Sequence, residues 1–273
     1  MTPSCSNQSL SNPQNGATKT SPALLKILVC VRRVPDTATR IKIASSGKSV
    51  DTTNVEYVIN PYEEYALEAG VQLKEKHGGE VTILTLGPEK SSQVILKGLA
   101  LGADKAIHLK SEAFPEDPSA TARALANELK TVEFDIILFG KKGVDDDNQQ
   151  VGPMVAEILG IPCVTQVVKL EVTNGKVVAH REIEGGALVV ETTLPAAFTA
   201  EKDLAIPRYA SLRELVAARK KPITVKEPQQ YQPTLEVLSA GYPSPRSPGK
   251  IIGKGPEAVP LLVKLLHEEA KVI

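Results

Sequence analysis

The sequence predicts an α/β chain: a mostly parallel, doubly wound sheet with an antiparallel hairpin at one edge and an extended C-terminal arm. Three observations carry that reading. Between Leu24 and Leu159, strand-length apolar runs alternate with helix-period apolar patterns, the mark of a parallel sheet covered on both faces. Asn174-Gly175 separates two β-like runs, Cys163–Val172 and Lys176–Glu182, which is a hairpin signal. From Lys202 onward, Pro, Ser and Gly break the pattern, and such a segment rarely packs on its own domain alone.

The elements follow in order. Leu24–Val31 is an apolar run and the first strand. Tyr57–Ile59 leads to Asn60-Pro61, read as N-cap and first helical residue, with Glu63 completing a capping-box pattern. Tyr62, Tyr65, Ala66, Ala69 and Leu73 share one helical face, and Gly78-Gly79 stops that helix. Val81–Leu86 is a strand ending at Gly87-Pro88, and a helix through Val94, Ile95 and Leu99 stops at Gly102. Lys105–Leu109 is a strand, Ser119–Lys130 a helix, Asp135–Phe139 a strand and Val151–Leu159 a helix closed by Gly160. After the hairpin come Ala187–Thr193 and Ala196–Ala200, strands of a kind that extends a parallel sheet at its edge. Ser211 caps a short helix, Leu212–Arg219, and Pro256–Lys271 is a terminal helix with Leu261, Leu262, Leu265 and Leu266 on its apolar side.

Composition excludes several functions. The chain has 273 residues, 42% of them hydrophobic, enough for one large core with an appendage. Lys+Arg and Asp+Glu both number 32, so no net field points to nucleic acid or to a membrane surface. Aromatics make up 4% and Trp is absent, which leaves no stacking platform for single strands. No apolar run spans a bilayer. Cys5, Cys30 and Cys163 show no metal or redox spacing, and His77, His108, His180 and His267 accompany no nucleophile signature. No catalytic constellation is read, and no metal site. Gly253-Lys254-Gly255-Pro256-Glu257-Ala258 matches a loose dinucleotide pattern, but no second strand follows it, so it is a helix-entry turn. Residues 1–23 are rich in Ser, Asn and Pro, with Lys19 as the one basic residue. They read as a disordered tail, not as a secretory signal or a convincing mitochondrial presequence.

The polar loop Gly140–Val151 is the most informative stretch. It joins the end of a buried strand to a helix N-terminus, the place where open α/β sheets bind ligands and where backbone N–H groups receive phosphate. Asn148, Gln149 and Gln150 can donate to phosphate oxygens. Asp145, Asp146 and Asp147 would repel phosphate if they faced it, and would otherwise cap the helix or accept from ribose or adenine. The same residues equally suit a solvated, well-capped loop.

The motifs KILVCVRRVPD (Lys26–Asp36), INPYEEYALEA (Ile59–Ala69), LGP (Leu86–Pro88), LGADKAIHL (Leu101–Leu109), GKKGVDDDNQQVG, EIEGG (Glu182–Gly186) and PRYASLRELVAARKK (Pro207–Lys221) occur in this order. Together, across residues 24–225, they resemble the β (small) subunit of electron-transfer flavoprotein. The resemblance implies a Rossmann-like adenine-nucleotide-binding domain at 24–205, a tail at 1–23, a partner-recognition loop and short helix at 206–225, and an arm and helix at 226–273 that pack on an α subunit. It implies an electron carrier in place of an enzyme. The heterodimer takes electrons from acyl-CoA dehydrogenases in fatty-acid β-oxidation and passes them to a quinone oxidoreductase. FAD is held mainly by α, and a structural AMP by this subunit. A bacterial chain would be cytoplasmic; a eukaryotic one would lie in the mitochondrial matrix.

The nucleotide contacts implied are Cys30, Asn60, Pro61, Tyr62, Glu63 and Leu86, together with Gly140, Lys141, Lys142, Gly143, Val144, Asp145, Asp146, Asp147, Asn148, Gln149, Gln150 and Val151. Relatives often carry Asn-Gln-Thr where this chain has Gln149-Gln150-Val151, so phosphate binding leans on backbone N–H groups and glutamines. Arg208, Tyr209, Leu212 and Arg213 are the implied docking residues, with Leu212 as anchor; sequence alone favours reading Leu212 as the buried residue of a short amphipathic helix, and the resemblance reverses that. Where many relatives have a lysine beyond this leucine, the chain has Ala217. A bifurcating branch of the family holds a second FAD in place of AMP, but its loop reads Asp-Gly-Asp-Thr-Ala-Gln, and Asp146, Asn148 and Gln149 depart from it. AMP is therefore favoured. A stand-alone nucleotide-binding protein or hydrolase of similar fold is the remaining alternative.

Overall fold

The computed structural model describes residues 24–112, 117–173, 175–246 and 248–273; the expected tail, 1–23, and Asn174 of the hairpin turn lie outside them. By internal packing the chain divides into two units. The first comprises the chain to Arg40 and Thr52–Glu236, and the second Ile41–Asp51 and Val237–Ile273.

The larger unit is the expected α/β domain. Its strands and helices run β1 (Leu25–Cys30), β2 (Arg33–Pro35), β3 (Tyr57–Ile59), α1 (Pro61–His77), β4 (Gly79–Gly87), α2 (Ser92–Ala100), β5 (Lys105–Lys110), α3 (Pro118–Leu129), β6 (Ile136–Gly140), α4 (Val151–Leu159), β7 (Cys163–Thr173), β8 (Lys176–Ile183), β9 (Gly186–Thr193), β10 (Ala196–Ala200), α5 (Leu212–Ala218) and β11 (Ile223–Lys226). Nine strands form one sheet in the order β11-β5-β4-β1-β6-β10-β7-β8-β9. Pairing is parallel from β11 through β7 and antiparallel at β7–β8 and β8–β9.

Alternation along β1 builds two cores. Ile27 and Val29 pack with apolar residues of α1 and α2, including Leu67, Val71, Ile95 and Leu99. Leu28 and Cys30 pack on the other face with Leu125, Leu129 and Val155 of α3 and α4. The chain runs from β1 outward to β4 and β5, then crosses back to place β6 on the opposite side of β1. The carboxyl ends of β1 and β6 are thus a topological switch point, where neighbouring connections diverge and leave a crevice.

Three sequence expectations change. Ile223–Lys226, at the boundary between the expected recognition segment and the expected arm, is a strand: it pairs in parallel with β5 and closes one sheet edge. Only Ile223 of this strand is sheltered, so no apolar alternation marks it. Asn60 is the N-cap of α1 but makes no side-chain cap bond, and Glu63 does not return to it in a capping box; both side chains are used elsewhere. The terminal helix is shorter than Pro256–Lys271, with a 3₁₀ turn at Pro256–Ala258 followed by α6 (Val259–Glu268). At the other sheet edge, β9 is exposed along most of its length, with Leu188 and Val189 half open to solvent.

Within the second unit, Ile43 pairs with Val50 in a single antiparallel bridge. The Ala240 N–H donates to the Gly47 carbonyl at 2.7 Å, and the Ile43 N–H to the Tyr242 hydroxyl at 3.1 Å. Val259, Leu261, Leu262 and Val263 of α6 are exposed.

Candidate functional site

The crevice at the switch point is lined from six directions. The end of β1 contributes Cys30, Val31 and Arg32; β4 contributes Leu84 and Leu86; α3 contributes Thr121 and Leu125. The end of β6 and the loop after it supply Phe139, Gly140, Lys141, Lys142 and Gly143, then Asn148, Gln149 and Gln150; α4 opens with Val151 and Gly152. Glu63 enters from α1. Its leucines, Phe139 and Cys30 make an apolar floor, while the glutamines and the first N–H groups of α4 make a polar rim.

Close approach makes the crevice. A Cβ on Gly140 would lie 2.9 Å from Glu63 Cγ and Tyr62 Cβ. One on Gly152 would lie 2.9 Å from Thr199 Cγ2. Glycine at both positions lets β6 meet the first turn of α1 and lets α4 start directly on the sheet. Asn60, fully buried, staples the loop from behind: its Nδ2 donates to the Lys142 carbonyl at 2.8 Å, and its Oδ1 accepts from the Val144 N–H at 3.2 Å. Asp147 and Gln149 take left-handed backbone, with φ of 56° and 55°, which non-glycine residues adopt only when their surroundings impose it.

The charges of the loop are internally matched. Arg32 pairs with Asp145 and, at 2.9 Å, with Asp146. Lys142 pairs with Asp147, and Lys141 reaches Glu201 at 2.5 Å. The three consecutive acids therefore do not line the crevice, and the cations that do, Arg32, Lys141 and Lys142, are each paired with an acid. Burial opposes the charge on Arg32, yet Asp145, Glu63 and Asp146 hold its guanidinium above the ordinary value. Glu63 goes the other way. Burial raises its carboxyl to about 8, against the pull of the Arg32 charge, the Arg32 N–H that donates to it, and Asn60. Burial, then the proximity of Glu63, keeps the Cys30 thiol protonated.

Of the residues named from the sequence, Cys30, Glu63, Leu86, Gly140, Lys141, Lys142, Gly143, Asn148, Gln149, Gln150 and Val151 meet around one crevice. Asn60, Val144 and the three aspartates support it from outside. Tyr62 packs beside the loop, with Lys142 Nζ 5.8 Å from its ring centre, and Pro61 starts α1. Sequence reasoning missed Arg32, whose adjacency to the first strand was the available signal. It also missed Thr121. That hydroxyl is buried in the crevice wall without a hydrogen-bond partner, so a ligand atom would satisfy it. An orphan hydroxyl, an apolar floor and a helix-start rim fit an adenine nucleotide.

The docking candidates lie on a separate segment. Ser211 and Glu214 form a true capping box at the start of α5. Tyr209 is 99% exposed and Leu212 78%, so Leu212 is not the buried residue of its helix. Arg213 faces solvent. Arg208 turns inward to Glu68 and Glu75.

Comparison with known proteins agrees with this anatomy. The family model of the electron transfer flavoprotein domain matches residues 48–230. The electron transfer flavoprotein subunit beta of Bacillus subtilis (strain 168) is 37% identical, over 91% of this chain and all of that protein. The subunit of the same name from Bradyrhizobium diazoefficiens is also 37% identical, with the same coverage. The caffeyl-CoA reductase-Etf complex subunit CarD of Acetobacterium woodii is 37% identical over 74% of this chain and 78% of its own length. No helix among the described residues is long and apolar enough to cross a membrane. With a family match over most of its length and whole-length likeness to β subunits, the chain belongs to the electron transfer flavoprotein family as a β-type subunit.

Proposed function

We propose that this β-type subunit pairs one-to-one with an α subunit carrying FAD and holds a structural AMP in the switch-point crevice. The heterodimer ferries electrons from acyl-CoA dehydrogenases to a quinone oxidoreductase. The observation that carries the nucleotide reading is the convergence of Cys30, Leu86, Thr121, Glu63 and the Gly140–Gly152 turn on one crevice. Leu84, Leu86, Leu125 and Phe139 suit the base. The N–H groups at the start of α4, with Gln149 and Gln150, suit the phosphate. Because nearby charges are already paired, phosphate would be held by dipoles, and its binding should depend only weakly on salt. Electron transfer by the bound flavin asks for orientation and exclusion of water, not for a nucleophile or base in this chain. Exposure of Tyr209 and Leu212 supports docking of dehydrogenases there, an apolar anchor within a polar rim.

The test is co-expression with the cognate α subunit, purification and denaturation, followed by identification of the released nucleotides. One FAD and one AMP per heterodimer is the expected result. Two FAD would replace AMP by a second flavin, and release of FAD alone would overturn the nucleotide reading.

A further inference from the structure

The segment bearing Leu212 is pinned at both ends by cations that face the domain instead of solvent. At its start, Arg208 Nε and Nη2 donate to the two oxygens of Glu68 at 2.8 and 2.9 Å. Nη1 and Nη2 donate to the two oxygens of Glu75 at 2.7 and 3.0 Å. The Arg208 backbone N–H also approaches Glu68, at 3.3 Å. Glu68 and Glu75 lie two turns apart on α1, hence on one face. The Glu68 side chain is 5% exposed and is oriented by Gln72, which donates to it at 2.8 Å. At the far end, Lys221 Nζ donates to the carbonyls of Leu99 and Ala103 at 2.8 and 2.6 Å, capping the end of α2. Between these anchors Ala218 is fully buried, while Arg213, Arg219 and Lys220 are exposed.

We propose that Arg208 is a positioning residue for redox-partner docking: its fork to Glu68 and Glu75 holds Leu212 in one presentation, and the steering charge comes from Arg213, Arg219 and Lys220. The proposal rests on the reading of Leu212 as the anchor. A guanidinium whose Nε, Nη1 and Nη2 already contact two carboxylates has little left for a partner. An exposed leucine on a short helix gains affinity only if its geometry is fixed beforehand, since ordering it at the moment of contact costs binding energy. Arginine is required because its planar fork matches two carboxylates; lysine keeps the charge and loses the fork.

The experiment uses the heterodimer with its cognate α subunit, reduced by a flavoprotein acyl-CoA dehydrogenase at saturating acyl-CoA across an ionic-strength series. Arg208→Lys should raise KM for the heterodimer about tenfold, with kcat nearly unchanged and the ionic-strength slope of kcat/KM as in wild type. Arg213→Gln and Arg219→Gln should flatten that slope instead. Added to Leu212→Ala, Arg208→Lys should cause no further loss, because both act through one contact. Independently of any partner, amide exchange over residues 209–218 should quicken about tenfold in Arg208→Lys and less in Glu75→Gln, which removes one arm of the fork. Wild-type KM in Arg208→Lys, or additive losses in the double variant, would overturn the proposal and make Arg208 a docking charge. If Leu212→Ala transfers electrons as wild type, the anchor reading fails on its own; unchanged exchange over 209–218 in Arg208→Lys then overturns the positioning role as well.

Discussion

Glu63→Gln should stabilise the heterodimer, and by more as pH rises. The carboxyl of Glu63 is buried against Gly140 and titrates near 8 instead of 4.5. A folded-state value above the unfolded one means that the native state holds a proton the unfolded chain has released. Glu63 therefore lends stability fully below about pH 4.5, and loses it as pH climbs toward 8. Glutamine has the same shape, and its amide oxygen still accepts the Arg32 N–H, but it has no proton to lose. The gap between variant and wild type should be near zero at pH 4.5, grow by ~1.4 kcal/mol per pH unit and level off above 8. Between pH 6 and pH 8 the gap widens by ~2 kcal/mol, which for a chain of this size shifts the melting temperature by ~4 °C. Thermal melts of both heterodimers in matched buffers at pH 6, 7 and 8 measure it, since other titrating groups cancel in the difference. A constant gap would mean that Glu63 does not titrate there. That outcome would leave Glu63 ionised throughout the range and stabilised by Arg32, refuting the dominance of burial.

Leu212→Ala should raise KM for a dehydrogenase partner by about thirtyfold, the kinetic equivalent of ~2 kcal/mol, while the melting temperature of the heterodimer stays within a degree or so of wild type. Thr121→Val keeps the volume and removes the orphan hydroxyl; nucleotide affinity should fall by ~1 kcal/mol, read by calorimetric titration of AMP into nucleotide-stripped heterodimer, and an unchanged affinity would show that the hydroxyl meets no ligand atom. Arg32→Leu leaves Asp145 and Asp146 without their cation beside the crevice, so nucleotide content after purification should drop and that of an added Asp145→Asn, Asp146→Asn background should recover, as measured by extraction and chromatography.

Much of this architecture was legible because β1, β4, β5 and β6 are buried on both faces and therefore read as continuous apolar runs. Helix α4 was bounded correctly since Gly160 takes a left-handed conformation at its end. What escaped was decided by tertiary contact. The pattern Asn60…Glu63 satisfies a capping rule locally, but the side chains are recruited by Lys142, Val144 and Arg32, more than twenty residues away in sequence. Three aspartates in a row looked hostile to phosphate until Arg32 and Lys142 were seen to neutralise them. Sequence cannot tell an inward arginine from an outward one, and Arg208 turns inward to Glu68 and Glu75. Ile223–Lys226 gives no strand signal in the sequence because an edge strand with a single sheltered side chain carries no periodicity.

The outer edge of β9 has a consequence for how copies of the protein meet. Among the described residues no strand pairs with it, and it is an eight-residue strand with Leu188 and Val189 half exposed. An open edge of that length and polarity templates the addition of further strands, including those of sibling molecules. A copy on which nothing covers that edge is open to pairing with another.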